Sequence, residues 1–202
     1  MSERSGTSRR VVGVLATGVV LVVAGCAAGS DAVRQGGTFD FVSPGGKTTI
    51  FYDPPSTRGA VGAVSGPDLM RQGATIRLSD YLSKVVVINL WGQWCGPCRA
   101  EASQLEKVSR ATADKGVQFV GIDVRDAQRQ APQDFVVDHH VSYPSIWDPP
   151  MRTVVALGAN YPTSVIPSTV VLDRRGRVAA VYLVALLAED LQPTVERVAA
   201  EQ

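Results

Sequence analysis

The run Val85-Val86-Val87-Ile88-Asn89-Leu90-Trp91 is the feature that most narrows what this chain can become. A continuous β-branched stretch of that length fits a central strand buried on both faces. Gly92-Gln93-Trp94-Cys95-Gly96-Pro97-Cys98 follows, and then a segment of helical periodicity. In it Ala102, Leu105 and Val108 share a face, while Glu101, Lys107 and Arg110 are expected to look outward. Residues 117–124 form a second apolar strand. Strand, helix and strand in this order make a right-handed parallel crossover. The cysteine pair therefore falls at a strand's carboxyl end and a helix's N-terminus.

The remaining pattern extends this unit. Asp126 is expected to cap a helix running to about His140, with Pro132 disturbing its early turns. A short strand over 142–147 and a helix over 151–157 follow. Residues 168–172 read as a strand, Asp173-Arg174-Arg175-Gly176 as a hairpin turn, and 177–183 as its partner. A last helix covers 188–200. Upstream, the β-like stretches 48–52 and 75–78 suggest a small N-terminal strand pair, with a turn of helix at 79–83. Parallel strands first, then a terminal hairpin and helix, is the order of the thioredoxin fold. The expected class is α/β: a central mixed sheet flanked by helices, with an N-terminal strand extension and an inserted helical segment.

Only three cysteines are present, Cys26, Cys95 and Cys98, too few and too unevenly spaced for a disulfide scaffold. Hydrophobic residues make up 45% of the chain, so a core can form without staples. Two cysteines separated by Gly96 and Pro97 at the start of a helix can close a small ring and reopen it. Helix N-terminal dipoles favour a thiolate there, which makes Cys95 the candidate nucleophile and Cys98, one turn in, the resolving partner. Pro97 helps to begin the helix. Half of a zinc site is the alternative, but the other available ligands, His139 and His140, are adjacent on one helix and point different ways. They read as surface or capping residues. Asp53-Pro54-Pro55 and Asp148-Pro149-Pro150 read as rigid turns.

The N-terminus carries Arg4, Arg9 and Arg10, then an apolar run over 11–24 that is short for a membrane span and suits a secretory signal. It ends in Val23-Ala24-Gly25-Cys26, which resembles a bacterial lipobox. The expected organisation is a signal peptide over 1–25, lipidation at Cys26, a flexible tether over 26–38 and one folded domain over 39–202. An uncleaved signal anchor is the alternative. Either places the domain at the extracytoplasmic face of a bacterial cell membrane. With twenty basic and nineteen acidic residues, the net charge of +1 argues against nucleic acid as a partner.

Trp91-Gly92-Gln93-Trp94-Cys95-Gly96-Pro97-Cys98-Arg99-Ala100-Glu101 resembles the active-site segment of the TlpA/ResA/CcmG (DsbE) group of thioredoxin-like proteins. Ile166-Pro167-Ser168-Thr169-Val170-Val171-Leu172-Asp173 is similar to that group's second signature. The resemblance implies a cis peptide bond at Pro167, with Ile166 presenting its backbone to substrate. It makes Glu101 an acidic residue that tunes the cysteines, and it sets Trp94, Gly96 and Pro97 against the substrate. Asn89 stands where cytoplasmic thioredoxins carry a buried acid, and Trp91 shields the pair from water. The implied activity is thiol–disulfide exchange on protein substrates, with no cofactor beyond the Cys95–Cys98 disulfide. The group's reducing members act on apocytochrome c during cytochrome c maturation and are recharged by a CcdA/DsbD-type membrane thiol transporter. An oxidant or isomerase acting on exported proteins, or a non-catalytic thiol-binding lipoprotein, are the alternatives. Tyr182-Leu183-Val184 departs from the group, which usually carries a glycine in this region.

Overall fold

The computed structural model describes residues 37–201. The signal peptide with lipobox expected over 1–25, the lipidation expected at Cys26 and the expected tether up to residue 36 fall outside the described residues. Gly37 and Thr38, expected at the end of the tether, already contact the domain. A Cβ on Gly37 would meet the Ala60 carbonyl oxygen, and the Thr38 hydroxyl accepts the Ala60 N–H.

Seven consecutive buried residues make the strand expected at the centre, β4 (Val85–Trp91). It is flanked in the chain by β1 (Thr49–Phe51), β2 (Ser65–Pro67) and β3 (Thr75–Arg77) before it, and by α1 (Gly96–Thr112) and β5 (Val117–Val124) after it. Then come α2 (Gln130–Asp138), β6 (Ser145–Asp148), β7 (Ser168–Leu172), β8 (Val178–Tyr182) and α3 (Ala188–Ala200). Six strands form one mixed sheet in the order β1-β8-β7-β4-β5-β6. β4, β5 and β6 run parallel, β7 runs antiparallel to β4, and β8 antiparallel to β7. This is a thioredoxin fold.

Period-2 geometry divides the core into two faces. Val86, Ile88 and Leu90 of β4 join Val120, Ile122 and Val124 of β5 in one cluster. Val85, Val87 and Phe119 point to the other side, where Leu105 and Val108 of α1 and Leu191 and Val195 of α3 cover them. Within β4 the one polar side chain is Asn89, and it lies on the α1 face.

Several boundaries differ from the sequence pattern. The stretches at 48–52 and 75–78 do not pair with each other. β1 extends the main sheet beside β8, and β3 pairs with β2, whose Ser-Gly-Pro composition carries no strand signal. Asp126 does not cap α2. The helix starts at Gln130 after Arg129, so Pro132 falls in the first turn, where its missing N–H costs no intrahelical bond. The helix expected over 151–157 shrinks to a 3₁₀ turn at Val154–Leu157. Met151 has a left-handed backbone (φ 60°), and the Asp148 carboxylate takes up the N–H groups of Arg152 and Thr153 instead. The hairpin turn forms as expected, with Gly176 at φ 71° and Asp173 accepting from the N–H groups of Arg175 and Arg177.

The N-terminal extension is locked on by one buried cation. The Arg58 side chain is fully enclosed and pairs with Asp53, Asp173 and Glu201. It thereby ties the extension to the β7–β8 hairpin and to the residue after α3. Among the described residues no helix is long and apolar enough to cross a membrane.

Candidate active site

β4 ends at Trp91, and the chain turns sharply over Gly92 before α1 begins. Cys95 is the N-cap of α1, and its Sγ accepts the Cys98 N–H at 3.2 Å. The turn is pinned on both sides. Gln93 N–H donates to Asp126 Oδ2 at 2.7 Å, and the Trp94 indole N–H to the Val124 carbonyl at 2.9 Å. Trp94 folds back over Gly92, where a Cβ would collide with the indole at 2.3 Å, so the glycine is a steric requirement. Asp126, read from sequence as a helix cap, is thus a brace for the active-site turn.

Cys95 and Cys98 are joined in a disulfide, S–S 2.07 Å. Both sulfur-bearing residues are almost wholly enclosed, whereas Trp94 is 47% exposed beside them and Gly96 and Pro97 lie open. The Ile166–Pro167 bond is cis, and Cys95 Sγ lies 3.8 Å from the Ile166 carbonyl oxygen. The loop before β7 therefore faces the disulfide directly. The His139 ring is stacked on Phe135, with centroids 3.9 Å apart.

The expectation that Glu101 looks outward with Lys107 and Arg110 is wrong. Glu101 is 2% exposed and lies on the same helical face as Cys98, Ala102 and Leu105. Its Oε1 accepts from Asn89 Nδ2 at 2.9 Å and its Oε2 from the Leu186 N–H at 3.0 Å. Asn89 Nδ2 also donates to the Thr169 hydroxyl at 3.1 Å. One carboxyl thus links β4, β7, α1 and the loop before α3. Burial pushes the Glu101 carboxyl up to about 7, against the opposing pull of Leu186 and Asn89. An acid in place of Asn89 would have set two carboxylates together in the core, so the amide is the compatible neighbour. A small void beside Cys98 is lined by Asn89, Trp91, Ala102, Phe135, Val141 and Tyr143.

Sequence reasoning missed Leu186 as a partner of Glu101 and Thr169 as a partner of Asn89. Leu186 contributes only a backbone N–H, which no residue pattern announces. Thr169 lay in the second signature, but alternation along β7 was the available signal that it shares a face with Asn89.

Residues 57–198 match the Redoxin family. The chain belongs to that family. A secreted thiol-disulfide isomerase from Corynebacterium glutamicum is 44% identical to this redoxin and superposes with a TM-score of 0.78, covering 82% of this chain and 100% of that one. A DsbF homologue from Corynebacterium diphtheriae is 46% identical, with a TM-score of 0.75 over 80% of this chain and 99% of that one. The thiol-disulfide oxidoreductase ResA of Geobacillus thermodenitrificans is 26% identical over 142 residues, 69% of this chain and 78% of that protein. The redoxin is a thiol–disulfide oxidoreductase of the TlpA/ResA/CcmG-like group, with the Cys95–Cys98 pair at disulfide distance.

Proposed function

We propose that this redoxin is a reductant of cysteine pairs in exported proteins, with apocytochrome c as its substrate during cytochrome c maturation. It is held at the extracytoplasmic face of the bacterial membrane by a lipid on Cys26 and recharged by a CcdA/DsbD-type transporter. The observation that carries the direction is the buried Glu101 carboxyl on the Cys98 face of α1. A carboxylate in that position opposes thiolate charge and so withholds stability from the reduced pair. Strong oxidants of this fold owe their potential to the reverse, a stabilised reduced form.

Cys95, at the helix N-terminus, is the attacking thiolate. It bonds to one sulfur of the substrate disulfide and expels the other as a thiolate, which takes a proton. Cys98 then passes its proton to Glu101 and attacks Cys95 Sγ. The Cys95–Cys98 disulfide forms, the second substrate thiol leaves, and two electrons have passed to the substrate. Trp94, Gly96, Pro97 and the Ile166 carbonyl beside Pro167 receive the substrate chain, because Trp94, Gly96 and Pro97 are the exposed groups next to the enclosed Cys95 and the Ile166 carbonyl faces its Sγ.

A second reading, a disulfide donor or isomerase, draws support from the name of the Corynebacterium glutamicum relative. The two are separated by mixing the reduced protein with an oxidised Cys-x-x-Cys-His peptide. The reductant converts the peptide to its dithiol with matching formation of Cys95–Cys98. A donor leaves that peptide oxidised and instead, in its own oxidised form, closes the dithiol peptide.

A further inference from the structure

Asp123 is the penultimate residue of β5, in register with Trp91 of β4 and Trp147 of β6. It is wholly buried, and neither side-chain oxygen has a hydrogen-bond partner. An ion so placed is strongly disfavoured. The nearby donors are committed elsewhere. The indole of Trp91 donates to the Ser145 hydroxyl, that of Trp94 to the Val124 carbonyl and that of Trp147 to the Asp126 carbonyl. The neighbouring guanidiniums turn away as well: Arg125 bonds the Thr163 carbonyl, and Arg129 the carbonyls of Leu69 and Asp68. The charged group that does face Asp123 is a second acid, Asp126. Asp126 in turn holds the active-site turn through Gln93 N–H.

We propose that Asp123 is kept as a neutral carboxylic acid that donates to the Asp126 carboxylate, and that this shared proton positions the Gly92–Trp94 turn in front of Cys95. The proton satisfies an otherwise orphaned acid and fixes Asp126 from behind, leaving its Oδ2 to take the Gln93 N–H. Val124 and Asp126 grip the turn directly, and Asp123 acts through Asp126. Burial, reinforced by the Asp126 charge, raises the Asp123 carboxyl to about 10, so the acid keeps its proton wherever exchange operates. Asp123 is a positioning residue, separate from the proton relay of Glu101.

The test is carboxyl carbon NMR of the aspartate-labelled chain, together with the exchange rates of D123N and D123L. One aspartate signal is expected to stay in its protonated position up to about pH 8 and to vanish in both variants. D123N, which still offers an N–H donor to Asp126, keeps most of the exchange rate. D123L, of similar size but with no donor, lowers it about tenfold. An Asp123 signal that ionises below about pH 6, or a D123L as fast as the parent, overturns the proposal. If D123L does not fold, the other two observations decide. A protonated signal with an active D123N supports the shared proton, and an ionised signal or a D123N slowed about tenfold overturns it.

Discussion

Replacing Cys95 with serine is expected to lower disulfide exchange by at least about a thousandfold, with the fold intact. The hydroxyl is a far weaker nucleophile than a thiolate and cannot enter a mixed disulfide. Cys95 is also the N-cap of α1, and serine is a good N-cap, so the loss falls on the chemistry and not on the helix. Cys98→Ser has a different signature. Attack by Cys95 survives, resolution does not, and the protein accumulates as a covalent complex with its substrate. Steady-state peptide reduction and non-reducing electrophoresis read the two outcomes. Comparable turnover in the Cys95→Ser variant would remove this residue from the reaction, and a trapped complex in Cys95→Ser but not in Cys98→Ser would exchange the two roles.

Glu101→Gln is expected to slow resolution about a hundredfold, by removing the group that takes the Cys98 proton. In the parent protein the carboxyl must be ionised to accept that proton. With its pKa raised to about 7, the rate should climb as pH passes through that value, and the climb should be missing in the variant. Stability moves the opposite way. The folded-state pKa lies above the ordinary value of 4.5, so the favourable term is fully present below the ordinary value and is lost as pH rises to about 7. The interval corresponds to roughly 3 kcal/mol. Glutamine should flatten that part of the curve of unfolding free energy against pH. It does not recover the whole amount, because both Asn89 Nδ2 and the Leu186 N–H are donors, and the amide nitrogen must face one of them. A variant with an unchanged pH profile for both rate and stability would return Glu101 to a packing role.

The central strand, the crossover helix and the terminal hairpin were legible because each rests on a local pattern. β4 is apolar on both faces, α1 opens on Cys95 and Pro97, and Asp173-Arg174-Arg175-Gly176 places a glycine where φ must be positive. The cysteine pair was legible for a related reason, since its chemistry is local to a few consecutive residues, whereas the cis bond at Pro167 was implied by the resemblance of the second signature. What was missed depends on distant partners. β2 is a strand because β3 lies beside it, and Asp126 braces Gln93 because β5 ends level with β4. Glu101 was read as outward because its charge suggested solvent. Its position three residues after Cys98 and the resemblance to the group pointed instead to the cysteine face; the structure follows that second reading, and the amide of Asn89 and the Leu186 N–H make the burial tolerable. The departure at Tyr182-Leu183-Val184 is accommodated as the end of β8 and its exit: Leu183 N–H bonds the Thr48 carbonyl, so the extension before β1 covers this edge of the sheet.

The equilibrium reduction potential of the Cys95–Cys98 pair tests the direction of electron flow most directly, measured against glutathione and dithiothreitol buffers. A value of about −250 mV or below is expected of a reductant whose reduced pair is denied thiolate stabilisation by Glu101. A value near about −120 mV would contradict that reading and make the protein a disulfide donor.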